Sequence, residues 1–160
     1  MASRFSLILF LLLVVGGGLV IGYLTAPGDW YAQLAKPAFN PPGWVFAPVW
    51  TTLYVLIAIS GWRVSRRQKG HSTRTSIRLW WIQLALNFLW SLVFFGMHLI
   101  GAALVVLSFL FMTVLGFIIA TWPHDRLAAF LFIPYAIWIA FAGFLNGLST
   151  PETKCIGRPE

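Results

Sequence analysis

Apolar residues in this chain fall into five long runs, Phe5 to Leu24, Trp44 to Trp62, Leu79 to Met97, Leu99 to Thr121 and Leu127 to Leu148. None of the runs contains Asp, Glu, Lys or Arg, each of which would cost about 2.5–3.5 kcal/mol at the centre of a membrane helix. A helix of about 20 residues crosses a hydrocarbon core of about 30 Å. Backbone polar groups cannot stay unpaired in hydrocarbon, so each run must form a helix or belong to a closed barrel. Barrel strands are about ten residues of alternating polarity; these runs are longer and do not alternate. The pattern predicts an all-α integral membrane protein, a five-transmembrane-helix bundle. Residues 1–150 form a single domain with a structured loop at 25–43, followed by a polar, mobile tail at 151–160.

The first run follows Arg4 and resembles a signal peptide in composition. It continues through Gly16-Gly17-Gly18 to Leu24, however, and Pro27 stands where cleavage would be expected. It reads as a retained helix. Pro134 should kink the fifth helix by removing a donor and crowding the preceding turn. Pro48 falls near the first turn of the second run, where proline is tolerated. In the first loop, Asp29 is placed to cap a short helix through Ala35, ended by Pro37 and Pro41-Pro42. Gly18 and Gly22, and Gly143 and Gly147, have the spacing of close helix packing.

Composition agrees with the runs: 59% of the 160 residues are hydrophobic and only 9% charged, against about 25% charged in soluble domains. The net charge of +7 does not point to nucleic acid. Arg63, Arg66, Arg67, Lys69, Arg74 and Arg78 crowd into one connection between apolar runs, as on a cytoplasmic flank facing anionic membrane lipid. With five spans, Arg4 and Arg126 share that side, while Lys36, Lys154 and Arg158 lie opposite. The bias places the N-terminus inside and the C-terminus outside a cytoplasmic (inner) membrane of bacterial type.

Candidate chemistry is sparse. Cys155 is the one cysteine, which excludes an intrachain disulfide, and the scattered His71, His98 and His124 make no metal-ligand spacing. No carboxylate pair, Ser-His-Asp set or phosphate loop can be assembled, and no charge lies within a span for a relay. What remains is a polar stripe, Gln83, Asn87 and Ser91, spaced four apart on one helix face. It suits interhelical hydrogen bonding or the wall of a ligand cavity. Around it stand aromatic pairs one turn apart: Trp50 with Tyr54, Trp90 with Phe94, and Tyr135 with Trp138, the last followed by Ala142. Such stripes form either core packing or a pocket for a large, flat, mostly apolar ligand. The loop aromatics Trp30, Tyr31 and Phe39 suit either an interfacial belt or a lid over the bundle mouth.

Several motifs carry a family resemblance. They are Trp30-Tyr31 through Lys36-Pro37, Asn40-Pro41-Pro42-Gly43-Trp44-Val45-Phe46, and Pro48-Val49-Trp50. Further along come Gln83-Leu84-Ala85-Leu86-Asn87 with Trp90, and Pro134-Tyr135 with Trp138, Phe141-Ala142 and Leu145-Asn146. Together they resemble the tryptophan-rich sensory protein and translocator protein family (TspO/MBR, the peripheral benzodiazepine receptor family) across about residues 5 to 148. The resemblance implies a five-helix bundle, usually a homodimer, that binds porphyrins and related tetrapyrroles such as protoporphyrin IX, with no required cofactor. Matching positions imply a ligand pocket of Trp50, Tyr54, Asn87, Trp90, Phe94, Tyr135, Trp138 and Ala142. Trp30, Tyr31, Pro41 and Pro42 would form the lid.

Two departures qualify the likeness. Ala38-Phe39 stands where many bacterial relatives carry a tryptophan pair, and Gly147-Leu148-Ser149-Thr150 replaces the proposed cholesterol motif of animal relatives; sterol binding is therefore not expected. Three functions follow as expectations. The first is a membrane sensor binding tetrapyrroles, linked to pigment or stress regulation. The second is an enzyme degrading protoporphyrin in light through Trp50 and Trp138. The third is a porphyrin transporter, against which the lack of inverted repeats and intramembrane charge counts.

Overall fold

A computed structural model describes residues 2–35, 40–67, 71–148 and 150–151. Five helices are long and apolar enough to cross a membrane: the first span Phe5–Leu24, the second Gly43–Ser65, the third Thr73–Gly96, the fourth Ile100–Thr121 and the fifth Arg126–Leu148. The third begins earlier than its apolar run because Thr73–Arg78, though polar, continues the helix beyond the hydrocarbon, where hydropathy gives no signal. The expected polar tail, 151–160, lies outside the described residues apart from Pro151.

The third span packs most extensively on the fourth, and the fourth on the fifth. Between them lie the fully buried Leu110, Val114, Phe117, Phe132 and Ile139. The first span is peripheral; its N-terminal part rests on the second span, while its last turns, Gly17–Leu24, reach the third. Large apolar residues elsewhere face outward, including Phe109, Ile119 and Ile137. That would be a liability in water but is the ordinary lipid face of a membrane helix.

Two local expectations are corrected, those for Pro48 and Asp29, and one is met. Pro48 lies inside the second helix rather than in its first turn, because the helix starts at Gly43 with Pro42 as its N-cap. The kink expected at Pro134 is present: the fifth span is interrupted in the turn before the proline, into Arg126–Phe130 and Ile133–Leu148, and Pro134 stands in the first turn of the second piece, where its missing N–H is not needed. Asp29 does not cap the loop helix. Gly28 is the N-cap of a single turn, Asp29–Ala32, after which Leu34 and Ala35 pair antiparallel with Pro151 and Thr150. Pro37 lies outside the described residues.

Candidate functional site

The bundle opens at Asn87 and Ser91 of the third span's polar stripe, while Gln83, two turns before Ser91, is fully buried and does not border the opening. Asn87 is almost wholly buried and joins two neighbouring helices: its side-chain oxygen accepts from the Tyr54 hydroxyl at 3.1 Å, and its amide donates to the Tyr135 hydroxyl at 3.0 Å. One turn on, Ser91 shares a 2.9 Å hydrogen bond with Thr25, which also donates to the Ile21 carbonyl at 2.8 Å. These side chains form the polar edge of a cavity of about 420 Å³. Its aromatic walls are Trp50 and Tyr54 from the second span and Trp90 and Phe95 from the third, with Tyr31 reaching in from the first loop. The Trp50 and Trp90 rings are stacked with centroids 6.2 Å apart.

The cavity exists because the first and second spans diverge. At Gly18 they meet so closely that a Cβ would overlap the Tyr54 ring, whereas a Cβ on Gly22 would meet nothing within 4 Å. The resulting cleft lies between Leu19, Gly22 and Tyr23 on one helix and Gly43, Ala47 and Thr51 on the other, all of them exposed on the outside of the bundle. Sequence reasoning read Gly18 and Gly22 only as packing residues and did not place the first span in the site. Their spacing was the available signal, but only the structure distinguishes a filled glycine from an open one.

The residues proposed from spacing separate into two groups. Trp50, Tyr54, Asn87 and Trp90 line the cavity together. Tyr135 stands behind Asn87, and Phe94 is buried behind Trp90, stacked on it at 5.6 Å. Trp138 turns away. It meets Trp50 and Phe46 edge-on at 6.5 and 5.8 Å but lines a separate, shallow groove on the outside, between Pro48, Val49 and Thr52 and Pro134 and Ile137. Ala142 packs against the core and borders neither space. Of the loop residues, Tyr31 borders the cavity, Trp30 lies farther out, and Pro41 and Pro42 lead into the second helix. Burial raises the Tyr31 phenol above its ordinary pKa, against an opposing side-chain hydrogen bond with Asn40. The site offers flat apolar surfaces and a few neutral hydrogen-bonding groups; among the described residues that line it, none is charged.

Comparison with known proteins decides the relationship. The model of the TspO/MBR family matches residues 9–148. The chain belongs to the TspO/MBR family. Among its relatives, the tryptophan-rich sensory protein of Cereibacter sphaeroides is 37% identical over 146 residues, covering 91% of this chain and 90% of that one. Protein CrtK of Rhodobacter capsulatus is 38% identical over 126 residues, 78% and 79% of the two chains. The human translocator protein is 38% identical over 119 residues, 73% and 70%. TspO/MBR membership and the five spans make the chain an integral multi-pass membrane protein.

Proposed function

We propose that this TspO/MBR protein is a membrane receptor of the sensor and translocator kind that takes a tetrapyrrole such as protoporphyrin IX, a haem precursor, into the cavity of its first three spans. The observation that carries the reading is the stacked Trp50–Trp90 wall beside the neutral Asn87, Ser91 and Thr25 edge. A flat macrocycle has large π faces for indoles and a polar periphery for amides and hydroxyls. Such a ligand partitions into lipid, and the cleft between the first and second spans gives it access without crossing water. With the basic loop on the cytoplasmic side, the cavity and its lid face the opposite side of a bacterial inner membrane. Homodimer formation belongs to the same proposal.

The test is titration of the purified protein with protoporphyrin IX in the dark, following tryptophan quenching, beside Trp50→Leu and Trp138→Ala. Saturable binding in the micromolar range or tighter, weakened roughly tenfold in Trp50→Leu, supports the reading. Non-saturable quenching, or equal affinity in wild type and Trp50→Leu, overturns it. Repeating the titration in light separates a receptor, which returns intact ligand, from an enzyme that consumes it.

A further inference from the structure

The third span does not end as a regular helix. At Leu92–Gly96 it widens into a π-type turn, with the Met97 N–H donating to the Leu92 carbonyl at 2.8 Å and the Leu99 N–H to Val93 at 3.1 Å. Neighbouring residues on an α-helix point about 100° apart, yet Phe94 and Phe95 both engage the lid. Phe94 meets Trp30 and Tyr31 edge-on at 5.7 and 6.3 Å, and Phe95 meets Tyr31 at 5.5 Å. Wide turns of this kind recur at functional sites.

Directly after it comes His98, with φ of 59°, the one non-glycine residue in the left-handed region among the described residues. That conformation is cheapest for glycine, is tolerated by asparagine, aspartate and histidine, and is costly for most other side chains. A turn alone would be served by glycine or asparagine. The imidazole is instead stacked on the Trp30 indole, centroids 4.1 Å apart and planes 19° from parallel. Neither ring borders the cavity, so the pair touches the lid and not the space beneath it.

We propose that His98 is the positioning residue of the lid: its imidazole is a fixed platform, held up by the left-handed turn, that keeps Trp30 down and thereby Tyr31 against the cavity wall. The proposal rests on the reading of that cavity as the ligand site. Because the stacked pair lies outside the cavity, it governs how fast ligand exchanges more than how tightly ligand is held.

The experiment pairs two substitutions. His98→Asn accepts the left-handed backbone and removes the ring; His98→Tyr keeps a flat ring but strains the left-handed turn, so its unfolding temperature is measured beside its Trp30 signal. With 5-fluorotryptophan incorporated and the Trp30 resonance assigned through Trp30→Phe, the ligand-free protein reports lid position directly. The Trp30 signal is expected to move toward its solvent-exposed position in His98→Asn and to stay near wild type in His98→Tyr. Protoporphyrin IX dissociation should quicken roughly threefold to tenfold in His98→Asn, the factor expected for one aromatic pair. Affinity should change less than the rate, and His98→Tyr should restore the slow rate. An unmoved Trp30 signal in His98→Asn overturns the proposal, as does equal acceleration in both variants, which would assign the effect to the turn rather than the ring. If no protein binds porphyrin saturably, the ligand reading fails while the fluorine signal still decides the lid.

Discussion

The two halves of the bundle are built from the same residue types and reach opposite results. Toward the basic loop the interior is full. Trp80 is completely buried, donates its indole N–H to the Ile57 carbonyl at 2.9 Å, and presses its ring against Gly61. The Phe117 and Phe132 rings meet nearby with centroids 4.1 Å apart and planes tilted by 33°. Asp125 ties that end: it caps the fifth span through the Ala128 N–H at 3.1 Å and pairs with Arg63 and Arg67, each at 3.0 Å. Toward the other end, Trp50 and Trp90 line an open space, and the side chains around it hydrogen-bond as neutral amides and hydroxyls. Tryptophan content therefore does not distinguish core from site. The separation of the helix backbones does, and it is set by what stands at the glycines.

The largest way to break this contrast is to remove the tie at the filled end. Asp125→Ala deletes a helix cap and two ion pairs and should cost about 2–4 kcal/mol, read as unfolding in mixed detergent. Burial opposes ionisation of Asp125, but the Ala128 N–H and the two guanidinium groups outweigh it and hold the carboxyl below its ordinary value. With the folded pKa depressed, the stabilisation is complete above about pH 4 and is lost as pH falls through the lower folded value. Wild type should thus lose its advantage over Asp125→Ala only in strong acid.

Next is Gly61→Ala, whose new methyl would overlap the Trp80 ring. Trp80 is rigid and bonded to the backbone, so overpacking of about 1–3 kcal/mol is expected by the same assay. Asn87→Ala, at the boundary between the halves, leaves the Tyr54 and Tyr135 hydroxyls without their shared partner. A loss of about 1 kcal/mol is expected, together with weaker porphyrin binding. The smallest stability effect sharpens the comparison. Gly22→Leu enters open space and should change stability by under about 0.5 kcal/mol, while narrowing the cleft and slowing porphyrin association from vesicles. A large destabilisation at Gly22, or none at Gly61, would remove the distinction between the open and the filled end.

Much of this was legible in the chain itself. Uncharged runs of about 20 residues dictate helices because hydrocarbon tolerates no unpaired backbone, and the basic loop marks one side. Spacing of four residues put Trp50 with Tyr54, and Asn87 with Gln83 and Ser91, on common faces; Trp50, Tyr54, Asn87 and Ser91 line one cavity, while Gln83 is buried away from it. The same spacing could not place Trp138 or Ala142, since periodicity gives a residue's angle on its own helix and says nothing of that helix's rotation against its neighbours. Tyr135, Trp138 and Ala142 share one uninterrupted helix, Ile133–Leu148, so their mutual spacing holds and only the rotation of that helix against the second span moves Trp138 and Ala142 out of the cavity. Nor does spacing reveal that the first span leaves the second beyond Gly18, or that His98 adopts a left-handed backbone beneath Trp30. The sequence determined which segments enter the membrane, because transfer free energy sums along the chain. Only the tertiary structure decided which aromatic residues surround empty space, because a cavity depends on the distance between helices.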